Sequence, residues 1–297
     1  DPYVDACFID SDNVEVIAVC NRSYESGKKV ADEFGIDSVY DNWIDLLSND
    51  HIDAICIGTW PYMHEVLVTE SLKNNKHVMT EARMTFDFDS SKKMLEASKK
   101  KPHLICQIVP APMTLKFDKY IRKTIAENKI GNVLQVDISI NHQTPISVSG
   151  GYPDFNSAHH WRSDIDFSGM NTMQLGIWYE AMMRWVGTAK NVMSTSRITV
   201  NTKTHEDDYE YIRIPDNVNV IGELDIGGLY NIQMSTVKGN APLDSVMIYG
   251  TTGTIKLDCV NYDLFMANDK SDFKKITIPS ELQSSWRVED EFINAIN

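Results

Sequence analysis

The densest run of proton-exchanging groups in the sequence is His159-His160-Trp161-Arg162, followed closely by Asp164 and Asp166. An imidazole accepts or donates a proton near neutral pH, and a carboxylate can orient it, so His160 or His159 could act as an acid/base. The run lies in a stretch containing Gly, Pro and Asn. Such loops carry function when a rigid scaffold holds them; a structured loop packing over a sheet is the other reading of the same residues. Two histidines and two aspartates also raise a metal ion, but their spacing matches no familiar ligand pattern and no metal is assigned. A second concentration is the charged pair Glu81 and Arg83, and a third is Trp178-Tyr179-Glu180 with Arg184. On a helix, positions 180 and 184 share a face and suit an i,i+4 ion pair. Trp178 either stacks on the ring of a ligand or joins Met182 and Trp185 in a buried stripe.

Composition narrows what these groups can act on. The formal net charge of −14 is scattered along the chain, which disfavours nucleic acid and anionic membrane as partners, because phosphate binding needs clustered Lys and Arg. The only dense basic run, Lys99-Lys100-Lys101, falls at the end of an expected helix, where cations suit the helix dipole. No apolar run approaches the ~20 residues of a membrane helix. The five cysteines share no metal-type spacing, and Cys20, Cys56 and Cys106 lie in or beside apolar strand-like runs. Reduced thiols in a cytoplasmic protein is the expectation. The chain opens Asp1-Pro2 without Met, so its natural start is expected to lie upstream.

At 297 residues the chain exceeds what one core usually supports, and two domains are expected. Up to about residue 109, short apolar runs (Val14 to Cys20, Ile52 to Thr59, His77 to Thr80, His103 to Val109) alternate with helical stretches. That pattern predicts a parallel sheet covered on both faces. After Pro110 and Pro112 the pattern changes to a helix, Thr114 to Asn128, and then strands with turn signals, interrupted by one helix from about Met173 to Trp185. This predicts an α+β domain with a large, mainly antiparallel sheet. In a doubly wound sheet, ligands bind beyond the carboxyl ends of the strands. Asn21-Arg22-Ser23, Thr59-Trp60-Pro61, Glu81-Ala82-Arg83 and Gln107 are therefore expected along one edge, with His64 at the start of the following helix.

Six segments in order carry a resemblance: VEVIAVCNR (Val14 to Arg22), DAICIGTWPYMHEVLV (Asp53 to Val68), KHVMTEARM (Lys76 to Met84), LGIWYEAMMRWVG (Leu175 to Gly187), IYGTTGTIKLD (Ile248 to Asp258) and EDEFINAI (Glu289 to Ile296). Together they resemble the glucose-fructose oxidoreductase / inositol dehydrogenase / rhizopine-catabolism (Gfo/Idh/MocA) family over almost the whole chain. The resemblance implies an α/β protein: a Rossmann-type NAD(P)-binding domain at residues 1–110, and an α+β substrate-binding and oligomerisation domain with a large open sheet at residues 111–297. It implies an NAD(P)-dependent oxidoreductase that moves hydride to or from a hydroxyl carbon of a sugar, polyol or related small molecule, working as a homo-oligomer. Asn21, Arg22, Ser23, Thr59, Trp60, Pro61, His64, Glu81, Ala82 and Gln107 are the expected cofactor-binding residues.

The sequence departs from the family in three places. The first strand and Gly-rich phosphate turn are missing; the position that is normally acidic after the next strand is Asn21, and Asn21 with Arg22 and Ser23 could accommodate a 2′-phosphate, a slight preference for NADP. The usual Glu-Lys-Pro is Glu81-Ala82-Arg83, where Arg83 can orient a substrate but not serve as a base. The usual Asp-x-Gly-x-His is Gln174-Leu175-Gly176-Ile177-Trp178, whose indole cannot take up a proton. The expected catalytic residues are then His160, His159, Tyr179, Glu180 and Arg83, with Asp164 a further candidate for the alcohol proton. Two alternatives stay open: a cofactor-retaining redox-neutral lyase or hydrolase, and a non-catalytic nucleotide or sugar sensor.

Overall fold

The computed structural model describes residues 14–141, 151–156, 158–170, 174–205 and 208–297. Asp1, Pro2 and Met173, named above, lie outside the described residues. The chain forms two compact units: Asp1–Pro110 with Arg287–Asn297, and Ala111–Trp286.

In the first unit, β1 (Ala18–Cys20) and β2 (Ser38–Tyr40) pair in parallel, and β3 (Ala54–Ile57), β4 (His77–Thr80) and β5 (Cys106–Ile108) form a parallel sheet in that order. Parallel neighbours need crossovers. The helices α1 (Tyr24–Phe34), α2 (Trp43–Leu47), α3 (His64–Lys73) and α4 (Phe88–Lys100) supply the intervening segments. The described strands make two parallel sheets rather than one, because no described strand pairs with both β1 and β3.

Local sequence sets these boundaries. Ser23 caps α1 in a reciprocal box with Ser26, and Gly35 ends the helix at φ 70. Asp87 caps α4, and Lys99 and Lys100 occupy its last turn, in keeping with the helix-end reading of the basic run. Ile57, Leu67, Val68, Leu72, Val78, Met94 and Leu104 make one core cluster.

The closing segment differs from the linear division at residue 110. Helix α8 (Val288–Ile296) belongs to the first unit, where Val288 and Phe292 pack with Met79 and Val109. Positions 288 and 292 are one turn apart and form an apolar stripe that needs a core to cover it.

The second unit holds an eight-stranded sheet in the order β15-β14-β13-β12-β6-β11-β10-β7. Its strands are β6 (Val133–Ile140), β7 (Met193–Arg197), β10 (Asn217–Glu223), β11 (Leu229–Ser235), β12 (Ser245–Gly250), β13 (Gly253–Asp258), β14 (Asp263–Asn268) and β15 (Lys274–Lys275). Every pairing is antiparallel except β11 with β6. Along β6, Val136, Ile138 and Ile140 are buried while Gln135, Asp137 and Ser139 alternate with them, as one-sided packing requires. Helices α5 (Leu115–Ala126) and α7 (Leu175–Val186) contribute Phe117, Ile121, Trp178, Met182 and Trp185 to the same core cluster. Gly250 sits at the irregularity between β12 and β6, where an added Cβ would lie 2.0 Å from the Ile130 carbonyl oxygen.

The short helix α6 (Ile165–Ser168) precedes α7. A separate hairpin, β8 (Thr202–His205) with β9 (Asp208–Tyr211), was not anticipated from the sequence.

Candidate active site

The carboxyl ends of the first unit's strands carry the expected clusters, and the structure joins three of them. The Arg22 guanidinium lies 5.5 Å from the Trp60 ring centroid, a cation–π contact that links the end of β1 to the end of β3. Asn21 turns its Oδ1 to the Arg22 N–H at 2.8 Å. Ser23 is engaged in capping α1, where its hydroxyl accepts from the Ser26 N–H at 3.2 Å. Pro61 opens a 3-10 turn, Pro61–Met63, that leads into α3.

His64 ties the second cluster to the third. Its ring is 1% exposed. Nδ1 lies 2.8 Å from the Arg83 carbonyl oxygen and 3.2 Å from that of Met84, and Nε2 lies 2.8 Å from the Thr59 carbonyl oxygen. A carbonyl only accepts, so the ring serves as a donor to backbone wherever it bonds here. The loop after β3 and the loop after β4 are thereby held together from behind.

At the end of β4, burial pushes the Glu81 carboxyl above its ordinary range; the Glu289 charge adds to this, and the Ala82 backbone N–H opposes it. The Ala82–Arg83 peptide bond is cis. Thr80, the last residue of β4, has a buried hydroxyl with no hydrogen-bond partner among the described residues. Gln107 turns away from this edge: its amide donates to the Val288 carbonyl at 2.8 Å and helps dock α8. Glu289, on that helix, is a residue that sequence reasoning missed. Its only signal was its place in the closing EDEFINAI segment.

In the second unit, α7 carries a polar network around Arg184. The guanidinium meets Asp118 at 2.9 Å through Nε, pairs with Glu180, and donates to the Thr114 hydroxyl at 2.7 Å and the Ala111 carbonyl at 3.2 Å. Glu180 also accepts from the Ala111 N–H at 3.2 Å. Trp185 donates its indole N–H to Asp118 at 2.7 Å. The Glu180–Arg184 pair is the i,i+4 pair that the spacing suggests, extended by Asp118 and the Ala111–Thr114 segment. Tyr179 receives the Ala189 N–H on its hydroxyl at 3.3 Å. Trp178 is 1% exposed and packs in the core cluster, which matches the buried-stripe reading.

The His159–Asp166 loop is braced by the unanticipated hairpin. The His159 N–H donates to the Thr204 carbonyl at 2.7 Å, and Ala158 bridges to Thr204. His160 Nδ1 accepts the Arg162 N–H at 3.1 Å. Burial, followed by the charges of Arg162 and His159, lowers the His160 pKa, so the neutral ring is favoured, with its proton on Nε2. The Arg162 guanidinium stacks 4.3 Å from the Trp161 ring centroid. Asp164 caps α6 by accepting from the Asp166 N–H at 2.8 Å, and Asp166 pairs with Arg213 at 2.9 Å.

Residues 2–108 match the model of an oxidoreductase family with an NAD-binding Rossmann fold, and residues 119–256 match the GFO/IDH/MocA C-terminal domain. The chain belongs to the Gfo/Idh/MocA oxidoreductase family. Among curated relatives of this Gfo/Idh/MocA chain, an oxidoreductase of Formosa agariphila is 22% identical over 253 residues, 84% of this chain and 76% of the relative. An inositol 2-dehydrogenase/D-chiro-inositol 3-dehydrogenase of Halalkalibacterium halodurans is 22% identical over 171 residues, 53% of this chain and 47% of that one. Among solved structures, an NAD-binding oxidoreductase from Klebsiella pneumoniae has a TM-score of 0.77 at 16% identity, covering 95% of this chain and 76% of its own. A levoglucosan dehydrogenase in complex with NADH and levoglucosan has a TM-score of 0.74 at 16% identity, covering 94% of this chain and 78% of its own. At these identities the structural likeness establishes the fold. Among the described residues no helix is long and apolar enough to cross a membrane.

The first unit's edge suits a dinucleotide. Arg22 over Trp60 offers a cation beside an aromatic face, Asn21 and Arg22 are exposed, and the buried Thr80 hydroxyl still has hydrogen-bonding capacity.

Proposed function

We propose that this Gfo/Idh/MocA protein is an NAD(P)-dependent dehydrogenase or reductase acting on a CH–OH group of a sugar, polyol or related small molecule. The observation that carries the reading is the single edge formed by Asn21-Arg22-Ser23, Thr59-Trp60-Pro61 and Glu81-Ala82-Arg83, joined by the Arg22–Trp60 contact and the His64 ring. The named relatives that act on inositol and levoglucosan support a polyol-like substrate.

Nicotinamide, when bound, supplies or accepts the hydride. Asn21 and Arg22 hold the ribose end; with no carboxylate at this turn, the guanidinium favours a 2′-phosphate and so NADP. Thr59, Trp60, Pro61, Glu81 and Ala82 line the cofactor edge and His64 positions it, while Gln107, expected there from the sequence, instead holds α8. Arg83 orients an oxygen without exchanging its proton. Of the catalytic candidates, His160 presents an Nε2–H donor, because its Nδ1 is taken by the Arg162 N–H. Such a donor polarises a carbonyl in the direction of reduction. His159, Tyr179 and Glu180 remain further candidates, with Tyr179 and Glu180 already held by Ala189 and by Arg184.

Homo-oligomerisation is part of the proposal. Met193, Ile221 and Leu229 are exposed and share one face at the β7–β10–β11 end of the sheet, an apolar surface suited to self-association. The protein is expected to act in the cytoplasm, where NAD(P) pools are available.

Titration of NADPH and NADH, followed by nicotinamide fluorescence, tests the reading first; a screen of polyols for cofactor reduction tests it next. Binding with turnover supports the dehydrogenase. Binding with substrate conversion but no net cofactor reduction shifts the reading to a redox-neutral enzyme. Polyol binding without turnover points to a sensor.

A further inference from the structure

The eight-stranded sheet ends in two edges that differ in kind. At one end β15 has only two residues, Lys274 and Lys275, both exposed. Short edge strands and lysines deter pairing with another chain. At the other end β7 has five residues, all exposed, and among the described residues no strand pairs with its outer side. It contains no proline, and its one charge, Arg197, is its last residue. Its outer row of backbone donors and acceptors is a template for a further strand.

The residues around Thr195 read nearly the same in both directions: Val192-Met193-Ser194-Thr195-Ser196-Arg197-Ile198. Two copies of one strand that pair antiparallel about a twofold axis set each residue opposite its mirror position. With the axis at Thr195, that residue meets its own counterpart, Ser194 meets Ser196, Met193 meets Arg197, and Val192 meets Ile198. Hydroxyls oppose hydroxyls, an apolar pair closes each end, Met193 lies along the aliphatic stem of Arg197, and no like charges meet. Moving the axis to Ser194 sets Val192 against Ser196, and moving it to Ser196 sets Ile198 against Ser194, so either shift loses the apolar pair.

Burial on the neighbouring strand bears on the same point. Ser194 and Ser196 pair with Val220 and Val218 of β10. The valines are buried and the serines exposed, so β7 projects past the covered part of the sheet. Val192 and Ile198 are exposed as well, and the two-residue period puts them on the side of those serines.

We propose that β7 is a self-pairing edge: two copies of this chain join antiparallel through Met193–Arg197, with the twofold axis at Thr195, into one continuous sheet. The inference deepens the self-association within the proposed function. It names the edge and its register, where that reading named the open apolar face.

The test uses the full chain, with mass read by light scattering after size exclusion. Thr195→Lys sets two ammonium groups opposite each other at the axis and should halve the mass of the oligomer. The substituted side chain is exposed, so the near-ultraviolet circular dichroism should match that of wild type. Leu229→Lys, on the open face and away from the edge, is the control for association through that face.

Oxidative cross-linking reads the register directly. Opposed residues of antiparallel strands have Cα atoms about 4.5–5.5 Å apart, within reach of a disulfide. Thr195→Cys should therefore give a covalent dimer, in Leu229→Lys protein as well. Ser194→Cys should not, because its counterpart lies two residues off, beyond the ~7 Å limit. Wild type supplies the background from native thiols. A monomeric wild-type chain, or Ser194→Cys cross-linking as readily as Thr195→Cys, would overturn the inference. Association lost in Leu229→Lys and kept in Thr195→Lys would overturn it too, and would assign the oligomer to the open face. Failure of NADPH and NADH to bind would instead count against the proposed function.

Discussion

His64 is fastened to Arg83 through the backbone: its Nδ1 lies 2.8 Å from the Arg83 carbonyl oxygen, while its Nε2 reaches Thr59 at the same distance. A ring 1% exposed acts here as a strut between two loops that carry the cofactor edge. His64→Ala leaves those carbonyls unpaired and opens a cavity, which should cost ~2–4 kcal/mol of stability. NAD(P)H affinity should fall with it, and His64→Gln, which restores one donor, should recover part of both. Paired thermal melts and fluorescence titrations check this; full cofactor affinity in a folded His64→Ala protein would remove the strut from the account of binding.

Arg184 is expected to matter for stability before activity. Its removal leaves Asp118 and Glu180 buried or half-buried without their cation, a loss of about 3–5 kcal/mol for a buried pair broken on one side. Lysine cannot serve Asp118, Glu180, Thr114 and the Ala111 carbonyl at once, so Arg184→Lys should rescue little. Urea unfolding of the two variants measures the difference.

Cofactor choice should follow Arg22. Arg22→Glu should weaken NADPH relative to NADH by roughly tenfold or more, since a charge-assisted hydrogen bond of about 1.5–3 kcal/mol is replaced by repulsion. Equal losses for both cofactors would place Arg22 at the adenine face through Trp60 instead of at the 2′ position.

Glu81 gives a pH dependence with a definite sign. Its folded pKa is raised, so between its ordinary value and the raised one the folded state binds more protons than the unfolded chain. Stability from this group is therefore present at low pH and declines as pH rises through that window. Glu81→Gln should flatten the decline. Urea midpoints measured from acid to neutral pH for both proteins test it, and parallel curves would show that burial of Glu81 does not govern the trend.

Much of the fold could be read from local patterns because its signals are local. The capping serine and terminal glycine of α1, and the 2-residue alternation of β6, each lie within a few positions of what they control. The Glu180–Arg184 pair was visible for the same reason. Asp118, its other partner, was not, because nothing in residue type links two helices 66 positions apart in sequence. His64 was legible as a candidate and not in its role: its partners are backbone carbonyls, which leave no trace in side-chain identity. The β8–β9 hairpin escaped because its strands are only four residues each and β9 is exposed along its length, so the apolar alternation that marks half-buried strands is lacking.

Helix α8 has a consequence for how the molecule is made. Val288 and Phe292 complete a core that includes Met79 and Val109, and Gln107 holds the Val288 carbonyl at 2.8 Å. During synthesis, the first unit emerges from the ribosome early but cannot close until the entire second unit has been translated. A nascent chain interrupted before residue 287 would expose an apolar surface on its oldest part, a natural target for chaperones and proteases. The same closeness of Gln107 and Val288 means that the stretch between them enters and leaves at neighbouring points, as a guest sequence does in a host. A short loop in place of residues 111–286 is a direct way to obtain the host alone.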